Sequence, residues 1–174
     1  VREGDFAAEI APVKVTTRKG DQLVEQDETP FSIDVSKISS LKPAFGKDGT
    51  VTAASSSSIS DGAAAVIVTT AAAARKRGLT PLARFVSFSV AGVPPEIMGI
   101  GPIAAIPKAL KQAGLNQDQL DWIELNEAFA AQALAVIRDC KLDPSKVNPY
   151  GGAIALGHPL GATGAIRTAT IVHG

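Results

Sequence analysis

Cysteine, histidine and aromatic residues are scarce in these 174 residues: one Cys, two His, one Tyr, one Trp and six Phe. A single cysteine excludes an intrachain disulfide framework and fits a reducing compartment, so the expected location is cytoplasmic. One cysteine and two histidines show no metal-ligand spacing, and no metal is expected. So few rings argue against a platform for stacking bases. Neither sign of charge dominates, with 17 basic and 17 acidic residues. The longest basic cluster, Arg75 to Arg77, reads as the last turn of a helix, where cations complement the dipole. No nucleic-acid face is implied. Neither a signal peptide nor a membrane span is visible. The uncharged stretch from Asn148 to Ile166 is long enough to raise that question, but it holds five glycines and two prolines. That composition argues against a lipid-facing helix.

What is present is globular: 45% hydrophobic and 20% charged residues, in a chain long enough for one ordinary core. Residues 9–28 alternate weakly and turn at Lys19-Gly20-Asp21, which predicts a β-hairpin. Residues 30–45 suggest a short helix followed by loop, and a turn at Asp48-Gly49 leads into a serine-rich loop. "AAAVIVTT" is a continuous apolar run suited to a buried strand, and "AAAARKRG" a helix closed by Gly78. "LARFVSFSVAG" is strand-like. "GPIAAIPKALKQAGL" is a helix entered through Pro102 and stopped at Gly114. "LDWIELN" reads as a strand, and "EAFAAQALAVIRD" as an amphipathic helix with Phe129, Ala133, Val136 and Ile137 on one face. Then come a short buried strand from Ala153 to Leu156, a tight glycine loop around His158, and a small-residue helix from about Gly161. Strands alternating with helices predict an α/β layered sheet. The chain opens "VREGDF", has its only methionine at Met98, and ends "TATIVHG" inside a helical pattern, which reads as a piece of something longer.

Asn126 stands where strand becomes helix. On geometry alone it suits an N-cap first, and a ligand contact at the carboxyl end of a strand second. Glu127 beside it offers acid or base chemistry, or simple compensation of a helix dipole. His158, flanked by Gly157 and Pro159, has a fixed backbone and little cover from its neighbours, a setting for catalysis or ligand binding. "GHPLGATG" lacks the lysine of a P-loop and the spacing of a dinucleotide fingerprint. Cys140, at a helix end between Asp139 and Lys141, reads as a structural thiol. His173 carries no signal.

"ELNEAFAAQ" and "NPYGGAIALGHPLGATGA" together resemble the two signature blocks of the thiolases, which make and break 3-ketoacyl-CoA. "DGTVTAASSSSISDGAAAVIV" and "PEIMGIGPIAAIPKAL" resemble two further family blocks, in the right order. The resemblance covers nearly the whole chain. It implies that His158 activates a nucleophilic cysteine and helps hold the thioester oxygen, and that Asn126 orients a water in that oxyanion hole. It implies that Ser57 contacts the pantetheine arm of CoA, and that Phe45, Met98, Phe129 and Leu160 line the pantetheine and acyl tunnel. Claisen chemistry passes through an enolate and tetrahedral oxyanions, so preorganised donors at these places would supply much of the rate.

The same resemblance implies a fold of five αβαβα layers, here as an incomplete fragment. Residues 1–59 would end the family's loop domain, residues 60–80 would complete the N-terminal half, and residues 81–174 would form most of the C-terminal half, without its final strands. No permanently bound cofactor is implied; CoA and acyl-CoA are substrates. The implied partners are the remaining segments, carrying the two catalytic cysteines that Cys140 does not match, and further copies in a homodimer or homotetramer. Residues 1–174 alone are expected to be unstable without that remaining polypeptide. Two departures stand out: "AASSSS" replaces the usual Gly-Asn or Ala-Asn before Ser57, and Phe31 stands where an arginine near the nucleotide end of CoA is common. The implied activity is thiolytic cleavage of 3-ketoacyl-CoA or the reverse condensation, with acetoacetyl-CoA thiolase as a variant. A thiolase-like protein that binds CoA esters without turnover is the reading from another class. A nucleotide-binding α/β domain built on the glycine loop is a third.

Overall fold

The hairpin expected near Gly20 is the one β-ladder among the described residues. The structure, a computed structural model, describes residues 3–174 and divides into two units, one ending at Leu41 and one running from Lys42 to Gly174.

In the first unit, β1 (Val13–Thr17) pairs antiparallel with β2 (Gly20–Val24), in a register running from Val13↔Val24 to Thr17↔Gly20. Gly20 takes φ +109°, a value only glycine adopts without strain. Lys14 pairs with Asp21 at 2.6 Å, and the Thr16 hydroxyl donates to the same carboxylate at 2.8 Å. These two contacts, Lys14 first, hold the Asp21 carboxyl below its ordinary pKa. A short α1 (Thr29–Ser32) and a 3-10 turn (Val35–Ser40) follow, the latter capped by the Asp34 carboxylate, which accepts from the Ser36 amide at 3.1 Å.

The second unit carries α2 (Ala71–Lys76), α3 (Gly101–Ala113), α4 (Ala130–Asp139), α5 (Ala153–Leu156) and α6 (Leu160–His173). The expected basic last turn at Arg75 to Arg77 is the end of α2, with Thr70 as its N-cap. α3 starts at Gly101-Pro102 and stops at Gly114, whose φ of +67° lets the Leu115 amide return to the Leu110 carbonyl at 3.1 Å. α4 ends in the same manner without a glycine. Lys141 takes φ +52°, and the Leu142 amide reaches back to Ile137 at 2.9 Å. The core is small. Leu125, Ala133, Val136 and Leu142 are buried, with Ile103, Ile106, Ile137 and Cys140 among the half-buried residues packed on them. Ala133, Val136, Ile137 and Cys140 follow the i, i+3, i+4, i+7 spacing of one helix face.

The strand expectations are corrected at four places. Residues 63–69 and 82–92 enter no ladder, and their large apolar side chains face outward: Ile67 is 93% and Phe85 79% exposed. A strand is stable only beside another, and neither segment pairs with a strand among the described residues, although the Ser87 hydroxyl donates to Ala109 C=O on α3 at 3.0 Å. "LDWIELN" forms only an isolated parallel bridge, Ile123↔Val147. Ala153–Leu156 is a single helical turn and not a strand, and the side chain of Glu127 accepts from one of its free amides, that of Ile154. Phe129 is likewise not on the buried face of α4; it is the extended N-cap residue of that helix. No described helix is long and apolar enough to cross a membrane.

Candidate active site

Two loops and one serine-rich segment bring the candidate residues together. The first loop leaves the core at Leu125. Ile123 pairs with the 146–148 segment through the bonds Ile123 N–H to Lys146 C=O, 2.9 Å, and Asn148 N–H to Ile123 C=O, 2.8 Å. Asn148 then continues the ladder with its side chain. Its Oδ1 accepts from the Leu125 amide and its Nδ2 donates to the Leu125 carbonyl, both at 2.8 Å. A buried carboxamide thus imitates the next peptide group, and Asn148 adopts φ +48° to do so. Nδ2 also reaches Glu127 Oε1 at 3.2 Å, while Glu127 Oε2 accepts from the Ile154 amide at 3.2 Å. Glu127 therefore compensates a helix N-terminus, but that of α5 rather than of its own helix. Gly152 lies against this carboxylate so closely that a Cβ there would overlap it.

Asn126 is not an N-cap, since α4 begins four residues later with Phe129 as its cap. Its amide nitrogen instead lies 3.3 Å from Nε2 of His158. Asn126 Oδ1 is buried without a hydrogen-bond partner among the described residues, so the pair retains an unsatisfied acceptor.

The second loop fixes His158 from both sides. Gly157 takes φ +92°, and a Cβ on it would overlap the Ser60 hydroxyl. The His158 amide donates to Ser58 C=O at 3.0 Å, forming the parallel bridge Ile59↔His158. The other ring nitrogen, Nδ1, lies 2.7 Å from Thr163 Oγ1 in the first turn of α6. Ser57 links the same segment to the first loop: its amide and its hydroxyl both donate to Ala128 C=O, at 3.1 and 3.2 Å. Ser56↔Phe129 adds an antiparallel bridge beside it.

The apolar candidates form a rim. Phe45 meets Phe129 edge-on, with ring centroids 6.0 Å apart. Met98 stands 73% exposed on the turn Pro95–Ile100, which packs against α4. Leu160, 64% exposed, follows His158 by two residues and borders an open depression lined by Ile59, Ser60, Asp61 and Pro159. Phe31 lies in the first unit, on α1, and so supplies no cation for a phosphate.

Sequence reading passed over the groups that hold this arrangement. Arg167 on α6 pairs with Glu124 at 2.6 Å, the two side chains 13% and 4% exposed, and also reaches the Gly151 carbonyl at 3.3 Å. Trp122 Nε1 donates to the second oxygen of Glu124 at 2.7 Å, and its ring packs edge-on against Tyr150. A signal was there. In "LDWIELN" strand alternation puts Trp122, Glu124 and Asn126 on one side, and a carboxylate on that side needs a cation. Cys140 takes its expected structural place at the end of α4, where burial first and Asp139 second raise its thiol pKa. A thiol held protonated is a poor nucleophile. Among the described residues no group of three or more His, Cys, Asp or Glu is placed to hold a metal.

The structure thus brings the carboxamide of Asn126 and the imidazole of His158 together from two loops, with Phe45, Met98 and Leu160 exposed. The chain matches the family model for the thiolase C-terminal domain over residues 79–174 and that for the thiolase N-terminal domain over residues 1–72. It belongs to the thiolase family. It is 54% identical over 164 residues to an acetyl-CoA acetyltransferase of Paracoccus denitrificans, covering 94% of this chain and 42% of that protein. To the mitochondrial 3-ketoacyl-CoA thiolase of Homo sapiens it is 51% identical over 171 residues, covering 98% and 43%. Among solved structures, the Bacillus anthracis acetyl-CoA acetyltransferase superposes with a TM-score of 0.89 at 44% identity, over 99% of this chain and 44% of that one. Human mitochondrial 3-ketoacyl-CoA thiolase gives 0.85 at 48% identity, over 99% and 44%. The segments 63–69 and 82–92 therefore belong to an α/β path shared with complete thiolases. The chain spans less than half the length of these relatives.

Proposed function

We propose that this chain supplies the histidine and oxyanion-binding part of an acyl-CoA acyltransferase of the thiolase type. The observation that carries the reading is the meeting of Asn126 and His158 at 3.3 Å from two loops 32 residues apart in sequence. In thiolysis a cysteine thiolate adds to the 3-keto carbon, the C2–C3 bond breaks, and the departing acetyl-CoA enolate takes a proton from a second thiol. Coenzyme A then accepts the acyl group from the cysteine. His158 would deprotonate the nucleophilic thiol, and Asn126 with His158 would hold the thioester oxygen where charge develops. Both thiols would come from the remaining polypeptide, since Cys140 is the chain's one cysteine and is held protonated. That polypeptide would also cover the apolar segments around Ile67 and Phe85.

Ser57, Phe45, Met98, Phe129 and Leu160 would contact the pantetheine arm and acyl chain, and no resident cofactor is required. The exposed rim fits a ligand that is long, thin and mostly apolar. A role in fatty-acid degradation, a cytoplasmic location and a homodimeric or homotetrameric assembly complete the reading. The relatives include both acetyl-CoA acetyltransferases and 3-ketoacyl-CoA thiolases, so acetoacetyl-CoA and longer 3-ketoacyl-CoA substrates are the two arms of the test. Full-length protein should cleave at least one of them in the presence of CoA, with the chain-length profile deciding between the arms. Binding of CoA esters without cleavage would favour the non-catalytic reading, and binding of ATP or NAD without CoA esters would overturn both.

A further inference from the structure

The two ring nitrogens of His158 face different kinds of partner. Asn126 presents its amide nitrogen, a donor, to Nε2, so Nε2 is the acceptor there. A neutral imidazole carries one proton, which then sits on Nδ1 and points to Thr163 Oγ1 at 2.7 Å. The two contacts differ in strength. At 3.3 Å the Asn126 contact is long for an N–H donor, whereas 2.7 Å is at the short end of the range.

Helix α6 contains its own comparison. Threonines within helices commonly turn their hydroxyl back to the carbonyl four residues earlier. Thr168 does so to Gly164 at 2.8 Å and Thr170 to Ile166 at 3.1 Å. Thr163, buried in the first turn of the same helix, is bonded instead to a ring five residues earlier. Burial removes bulk water as a rival acceptor for Nδ1–H. The His158 backbone is separately tied to Ser58, so the hydroxyl has only the ring's rotation and proton left to fix.

We propose that Thr163 is a positioning residue that holds His158 in the Nδ1–H tautomer and leaves the Nε2 lone pair free for a thiol proton. The role in proton transfer rests on the thiolase reading above; the tautomer rests on the Asn126 amide nitrogen facing Nε2 and the Thr163 hydroxyl facing Nδ1. When a thiol approaches, its proton passes to Nε2, the weak Asn126 contact gives way, and the products are a thiolate and an imidazolium. The second N–H of that imidazolium remains on Thr163, which stabilises the charged ring. The proton returns from Nε2 when the thiol is regenerated.

The test uses the full-length protein labelled with 15N-histidine, the His158 signals being assigned by their loss in His158→Asn. The neutral ring should show a protonated Nδ1 and an unprotonated Nε2. Thr163→Val, which keeps shape and removes the hydroxyl, should move the tautomer population toward Nε2–H. Thr163→Ser should restore the original pattern, and Thr168→Val, which loses a hydroxyl on the same helix, should leave it unchanged. In thiolysis, Thr163→Val should lower kcat roughly ten- to a hundredfold with KM little altered, a fraction of what a general base contributes. Should Thr163→Val not fold, Thr163→Ala carries the same comparison. A wild-type ring already protonated at Nε2, or a pattern indifferent to residue 163, overturns the proposal. A tautomer that follows residue 163 in a protein without thiolase activity upholds it and removes the functional reading instead.

Discussion

The second unit contains two regions of opposite character. Residues 120–174 are tied together by short hydrogen bonds, a buried ion pair and a small core. Residues 61–92 include apolar runs that are turned outward, with α2 as their one helix. The first region makes many contacts within itself, Asn148 to Leu125, Glu127 to Ile154 and Thr163 to His158, and others with Ser57 and Ser58. The second carries apolar runs with no paired strand beside them.

The largest effect should come from the paired side chains themselves. On the proposed reading His158→Ala would remove the base and one oxyanion donor, and thiolysis by the full-length protein should fall by about 10²–10⁴-fold. Asn126→Ala should fall less, having no proton to move. Near-wild-type turnover in His158→Ala would mean that the meeting of the two loops is structural.

Next comes the ion pair that binds α6 to the 121–126 segment. Glu124→Gln leaves Arg167 charged and nearly buried, and should cost about 3–5 kcal/mol in denaturant unfolding. The double variant Glu124→Leu/Arg167→Met should lose less than either single change, because no uncompensated charge remains. A single variant as stable as wild type would show that solvent reaches the pair.

Ile67 then tests the contrast from the other side. It is 93% exposed in this chain, against 0% for Val136. If the remaining polypeptide completes the sheet over residues 63–69, Ile67→Ala should cost the full-length protein about 2–5 kcal/mol, as for any buried isoleucine. A change within about 0.5 kcal/mol would place the segment at a true surface.

These contrasts also explain what was legible in the sequence. Punctuation was readable because it is local: Gly114 after α3, Gly78 after α2, the turn near Gly20. His158 and Asn126 could be singled out from their neighbours and from family resemblance. The groups that hold the loops were not, because Thr163, bonded to His158, and Asn148, bonded to Leu125 and Glu127, carry no local mark of what they bond. The apolar run "AAAVIVTT" suggested a buried strand and forms neither a strand nor a buried segment here, because burial needs a neighbour that no local pattern supplies. "AIAL" looked like a strand because four apolar residues have no period; it is a helical turn, and a carboxylate 27 residues earlier in sequence accepts from one of its amides.

The smallest expected effect lies at the end of α4. Lys141 holds the left-handed conformation that glycine holds at the end of α3, φ +52° against +67°. An L-residue is strained there by contact of its Cβ with the following carbonyl, while glycine is not but loses more freedom on folding. The Lys141 backbone carbonyl accepts from Gln117 Nε2 at 2.8 Å, a bond that glycine would keep. The balance favours glycine, and Lys141→Gly should stabilise the protein by roughly 0.5–1 kcal/mol, read as a higher Tm with unchanged turnover. A lower Tm would mean that the lysine side chain contributes more than its strain costs, and that the two helix ends, alike in backbone, are held by different forces.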